Sequence, residues 1–325
     1  MSTYTLNERP YTLYHSVAED LRFEPEQTYV FDLAHLGALQ VSGDNAAQFL
    51  QGQLTCDMAG VTDQQMRPSG LCSLQGRLLA LMDVVQWQSL NLIMPQDLLP
   101  LTQQSLSKAA LFSRVTLKIM PQYSCVGLYI PQRATPEQVP VPFPTAIWQV
   151  TQNPNIFCYA LSEQMFVFLF RDTPYKESFL EQFSAQQHRG SLAWHYLELQ
   201  LPRLSIYPNT RGLFLPHRLN LHTTPYLSFS KGCYKGQEII ARTHYRAKLK
   251  HSLKLLQITT PHPISAGQKC YATPGQTEIG EIIDYCPLNS EEYLIVLSIL
   301  TEHPDTIYIE QHPYSLIIQR DDSKL

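Results

Sequence analysis

The chain contains no Cys-x-x-Cys pair, although it has seven cysteines among its 325 residues. The cysteines are widely spaced and odd in number, which argues against a disulfide framework and against a contiguous zinc or cluster motif. No stretch approaches the roughly 20 apolar residues of a membrane span. The longest apolar cluster, 165–170, has the length of a strand. Residues 1–10 are polar and do not read as a signal peptide, so a cytoplasmic location is expected. There is no excess of positive charge. The formal net charge is −4, so any anion-binding role must come from a local patch. Internal repeats and long low-complexity segments are also missing.

What is present is enough apolar material, 44% of residues, for more than one core. Strands are expected within 29–41, at 92–94 and at 115–120, with a helix over 45–54 capped by Asp44. Residues 70–87 read as a hairpin turning at Gln75-Gly76. Residues 96–108 are helical in pattern, with Pro100 in or near the first turn. Further strands are expected at 126–130, 146–151, 157–161 and 165–170, with a proline-rich loop over 131–144. Helices are expected at 175–187 and 191–199, the latter followed by Pro202. From residue 248 six short strand-like runs, the last over 314–318, suit a small barrel or sandwich. Trp87, Trp148 and Trp194 read as core residues.

The chemically suggestive stretch is Lys231-Gly232-Cys233-Tyr234-Lys235-Gly236-Gln237-Glu238, ahead of Ile239-Ile240-Ala241-Arg242. A thiol at or before a helix N-terminus, beside two lysines, has the surroundings that favour a thiolate. On these residues alone Cys233 is either a reactive thiol or an inert cysteine in a glycine-bounded loop. Arg242, His244, Arg246, Lys248, Lys250, His251 and Lys254 nearly alternate. They would place cations on one face of an extended strand, either for phosphates or carboxylates or simply for solvent. His217 and His222 have no third ligand in view, so no metal site is expected. Glu198 is either a buried acceptor for a polar ligand or a helix-surface charge, and Asp83 reads as a strand-end residue.

The run Lys231 to Glu238 resembles the signature of the YgfZ family at all seven of its defined positions. Resembling segments occur at 49–55, 70–77, 111–116, 214–221 and 309–316. The resemblance implies an α+β, three-domain architecture like that of the glycine-cleavage aminomethyltransferase, with a C-terminal all-β barrel. The implied units are a folate-binding-type α/β unit over 1–120, a second α/β unit over 121–247 ending in the cysteine motif, and the barrel over 248–325. It further implies a tetrahydrofolate-binding accessory protein for assembly or repair of iron–sulfur clusters, supporting radical enzymes that modify tRNA by methylthiolation. Cys233 is then the functional thiol. Glu198 aligns with the glutamate that contacts the pterin ring. Lys231, Gly232, Tyr234, Gly236, Gln237, Glu238, Arg242 and Arg246 are the further expected cofactor residues. The basic run would hold a polyglutamylated tail. Expected partners are folate and iron–sulfur enzymes or cluster carriers, with transient contact to a cluster, and neither direct tRNA binding nor a membrane.

The chain departs from the family pattern in three places. Leu199-Gln200 follow Glu198 where Ala-Gly is usual, and Ala247 stands where glycine is usual. The acidic pair of the aminomethyltransferases is missing, since no acid follows Gly76 until Asp83. That last departure argues against aminomethyl transfer. The alternative reading is a folate-dependent one-carbon transferase.

Overall fold

The computed structural model describes residues 1–131, 141–201, 203–247, 249–275 and 277–315. Most of the proline-rich loop, Pro202, Lys248 and the end of the expected 314–318 strand therefore lie outside the described residues.

Among the described residues three large sheets and one two-stranded hairpin carry the chain. The first is antiparallel, in the order Arg67–Cys72, Leu78–Trp87, Ser89–Pro95, Leu36–Ser42, Thr116–Ile119. The helix Leu99–Phe112 packs on it, with Pro100 in the first turn, where a missing N–H leaves no bond unmade. The second sheet runs Val150–Gln152, Ile156–Ala160, Met165–Phe170, Ser124–Tyr129, Tyr29–Asp32, His188–Arg189. Its strand Met165–Phe170 is apolar throughout because both faces are covered. Met165, Val167 and Leu169 enter one core, and Phe166, Phe168 and Phe170 enter another. Tyr29–Asp32 comes early in the chain yet pairs with Ser124–Tyr129, so the two sheets interleave in sequence. The third sheet is an all-antiparallel half-barrel of six strands: His251–Thr259, Glu292–Leu300, Glu278–Pro287, Lys269–Tyr271, Thr306–Ile309, His312–Ser315.

The helix expected over 175–187 is shorter, Thr173–Leu180, followed by a 3-10 turn at Ala185–Gln187, and two further elements differ from the sequence expectations. Ser2–Leu6 and Arg9–Leu13 form a hairpin, with Asn7 and Glu8 both at positive φ in the turn. Its Arg9 is buried and pairs with Asp97 at 2.9 Å, which ties the hairpin to the first sheet. The expected cationic strand over 242–254 does not form. Residues Gln237–Arg246 are helical, and the strand begins only at His251. Arg242 and Arg246, four apart, share a helix face instead. Among the described residues no helix is long and apolar enough to cross a membrane.

Candidate functional site

The cysteine motif is a loop fastened at several points. The Lys231 ammonium is buried and donates to the carbonyls of Leu54 (2.8 Å) and Cys56 (2.6 Å), just past the helix Ala46–Gln53. It also lies 5.0 Å from the centre of the Tyr234 ring. Burial pulls its pKa down to about 8. The Lys235 N–H donates to the Gly52 carbonyl. Gly236 caps the following helix at φ +82, and a Cβ there would lie 2.4 Å from the Ser73 carbonyl oxygen. Tyr234 and Ile240 are buried beneath. Gly232 has open space around it, and Cys233 is exposed. The loop therefore presents one thiol from a backbone held on either side. Gly236→Ala is expected to cost roughly 2–4 kcal/mol of stability, because it adds both a clash and left-handed strain. Gly232→Ala should cost under about 0.5 kcal/mol. Denaturant titration of both variants checks this, and equal losses would contradict it.

Beyond the loop, Arg242 and Arg246 line a shallow groove with Ile239, Thr243 and Ala247. Gln237 and Glu238 form the first turn of the helix, with Glu238 exposed. His244 faces the other way and stacks on Phe229 at 3.9 Å. It approaches His217 and His222, so the fold supplies the third histidine that the sequence did not show. The three ring centres are 5.1–6.1 Å apart. Burial, then His222 and His244, push the His217 pKa down to about 4. Among the described residues no three such side chains form a group able to hold a metal ion.

A separate cavity lies between the first and second sheets. Glu198 projects into it from the helix Ser191–Gln200, Asp83 from Leu78–Trp87 and Tyr159 from Ile156–Ala160. Arg203, Ser205, Tyr226 and His35 complete the polar lining. Asp83, read from the sequence as a strand-end residue, is buried. Its Oδ2 accepts from the Tyr159 hydroxyl and from Arg203 Nη2, each at 2.9 Å. Glu198 Oε1 stands 3.5 Å from Arg203 Nε, and the guanidinium lies 5.9 Å from the Trp148 ring centre. Burial raises the Glu198 pKa, with Arg203 and His195 pulling it back and Asp83 adding to it. Arg203 Nε and Nη1 and Asp83 Oδ1 are buried without hydrogen-bond partners. Such groups are costly unless a ligand or water meets them. The free volume is about 60 Å³. That is room for a few waters, so a ring-sized ligand requires lining side chains to move.

The residues expected at one site thus fall in two places. Glu198 lines the cavity, whereas Lys231 through Arg246 build the thiol loop and the groove beside it. Sequence reasoning passed over Arg203, Tyr159, Tyr226 and His35. The one available signal was Asp83, an acid with apolar neighbours on both sides in its strand, which demands a buried partner.

Taken as a whole, the fold is that of an aminomethyltransferase. The solved glycine cleavage system aminomethyltransferase T from Bartonella henselae matches with a TM-score of 0.64. The match covers 92% of this chain and 86% of that one at 15% identity, and it speaks for the fold alone. No family model matches the chain. In sequence, the chain is a homologue of curated proteins named tRNA-modifying protein YgfZ. The protein of Colwellia psychrerythraea (strain 34H) is 25% identical over 309 residues, covering 90% of this chain and 95% of its own length. That of Yersinia pestis (strain Pestoides F) is 25% identical over 295 residues, covering 85% and 89%.

Proposed function

We propose that this chain binds tetrahydrofolate in the Glu198 cavity and supports assembly or repair of iron–sulfur clusters through the Cys233 thiol. The observation that carries the folate half is the set of unmet buried groups: Arg203 Nε and Nη1 beside the carboxylates of Glu198 and Asp83. A pterin edge offers two adjacent N–H donors and a carbonyl acceptor. Carboxylates accept from the first two, and a guanidinium donates to the third. Glu198 and Asp83 would hold the ring, with Arg203 turned towards its carbonyl. Bound folate supplies a one-carbon carrier, and the chain's own groups orient it and exclude water. Calorimetric titration with tetrahydrofolate tests this, and absence of saturable binding would remove it.

The cluster half rests on the presentation of Cys233. One thiol cannot hold a cluster alone, so ligation requires cysteines of an iron–sulfur enzyme or cluster carrier, or glutathione. The names of the YgfZ relatives support a link to tRNA modification, and iron–sulfur enzymes are the route proposed here. Arg242 and Arg246 suit the carboxylates of a polyglutamylated folate tail. Arg246→Glu should weaken polyglutamate binding by about threefold to tenfold and leave the monoglutamate nearly unchanged. Equal losses for the two ligands would refute the assignment.

The buried Asp83 favours one second reading, a folate-dependent one-carbon transferase with Asp83 as the acid. Turnover of methyl or aminomethyl donors by the purified chain, lost in Asp83→Asn, would establish it, and absence of turnover would dismiss it.

A further inference from the structure

The first sheet ends on the strand Thr116–Ile119. It pairs with Leu36–Ser42 on one side and, among the described residues, with no strand on the other. The Met120 N–H donates to the Ala38 carbonyl, so the backbone of Lys118 and Thr116 also faces Leu36–Ser42. The backbone of Leu117 and Ile119 then faces outward. Gln103 Nε2 donates to the Leu117 carbonyl at 3.0 Å, which leaves the Leu117 N–H and both groups of Ile119 open on the edge. The helix Leu99–Phe112 lies beside this strand. An open groove of about 490 Å³ runs between them, with Gln103, Ser107, Leu111 and Leu117 in its walls. Leu111 and Phe112, the last helical residues, are 76% and 78% exposed. They do not belong to a frayed end. The Val115 N–H bonds to the Ala110 carbonyl (2.9 Å) and the Arg114 N–H to the Leu111 carbonyl (3.2 Å), which closes the helix. Arg114 takes the left-handed position, φ +55, where glycine is usual. Two large apolar side chains are thus held in solvent beside an open edge, and that combination marks a contact surface.

The charge around this surface has one sign. Residues 98–131 contain Lys108, Arg114 and Lys118, all exposed, and no acid. Among the described residues none of the three is in an ion pair. Asp44, in the turn that packs on the Arg114 carbonyl, is the neighbouring acid. We propose that the edge Thr116–Ile119 docks an extended segment of a partner protein in which apolar residues alternate with aspartate or glutamate. Side chains of an added strand point alternately to the two faces of the sheet. On the helix side they meet the groove and Leu111, the side on which Leu117 and Ile119 pack against the core. On the other side they meet Lys118. Backbone bonds to Leu117 and Ile119 supply affinity, and the cations select the acids. A second copy of this chain would set the same three cations against themselves across a two-fold contact. A nucleic acid would meet the cations but leave the open backbone edge unpaired. The docking does not depend on the folate reading above.

The test uses the full chain and a fluorescein-labelled peptide in which aspartate alternates with leucine or valine. Anisotropy should show saturable binding that weakens roughly tenfold or more in Phe112→Ser and in Lys118→Glu. The same peptide with lysine in place of aspartate should not bind. Amide exchange read by NMR should slow at Leu117 and Ile119 when the aspartate peptide binds. No saturation by about 1 mM peptide, equal binding by the folded variants, or unchanged exchange at those two amides would each overturn the proposal. So would a dimer of the parent chain in sedimentation that Phe112→Ser abolishes, since the edge would then belong to a second copy. A single-stranded RNA oligonucleotide that displaces the peptide and is lost with Lys118→Glu, yet not with Phe112→Ser, would also overturn it. All the substituted side chains are exposed, so the variants should fold as the parent does.

Discussion

A chain carrying Cys233→Ser is expected to bind tetrahydrofolate within about twofold of the parent, as an exposed substitution should. In cells lacking the parent protein it should restore none of the iron–sulfur enzyme activity. The other six cysteines matter here as much as Cys233 does. Cys56, Cys72, Cys125, Cys158, Cys270 and Cys286 are all buried and unpaired. Burial pushes Cys72, Cys125 and Cys270 up to about 12 and carries Cys158 and Cys286 well above the ordinary thiol value. Cys56 is raised as well, despite Ser69 and Lys231 pulling it down. The thiolate is the reactive form, so thiol chemistry at neutral pH falls to Cys233. The surrounding loop is already fixed by Lys231, Lys235 and Gly236, so serine should leave its shape intact. Full rescue of methylthiolation by the serine variant would take the thiol out of the mechanism.

Glu198→Ala is expected to weaken tetrahydrofolate binding at least a hundredfold. A carboxylate accepting two N–H bonds in a buried site loses roughly 1.5–3 kcal/mol per bond when removed. Each 1.4 kcal/mol is about tenfold in affinity. Asp83 still pairs with Arg203 at 2.9 Å in that variant, so the guanidinium keeps a counter-charge and the fold should survive. Glu198→Gln, which keeps one acceptor oxygen, should lose less. Unchanged affinity in Glu198→Ala would place the ligand elsewhere.

The elements that were legible in the sequence are those set by local pattern. The hairpin turning at Gly76 and the strand Met165–Phe170 follow from a left-handed glycine and an unbroken apolar run. The N-terminal hairpin went unread because Asn7-Glu8 occupies positive φ without the glycine that usually marks such a turn. The cationic run misled because Arg242, His244 and Arg246 satisfy a period of two, while Arg242 and Arg246 also satisfy a helical spacing of four. The burial of Ile240 against the Gly76 turn is a tertiary fact that decides for the helix. The cavity was the least legible part. Asp83, Tyr159 and Tyr226 lie far in sequence from the Glu198–Arg203 stretch, and these groups become a site only when the first two sheets face each other. Glu198 was found through a family resemblance. For its partner Arg203 the sole signal was the demand of Asp83 for a buried counter-charge.

The central claim is that the acid-lined cavity holds folate. The direct measurement is a calorimetric titration of the purified chain and of Glu198→Ala with tetrahydrofolate, side by side at neutral pH. The account predicts one saturable site in the parent and a loss of at least a hundredfold in the variant. A parent that gives no binding heat or saturation, or a variant that binds as the parent does, would contradict it.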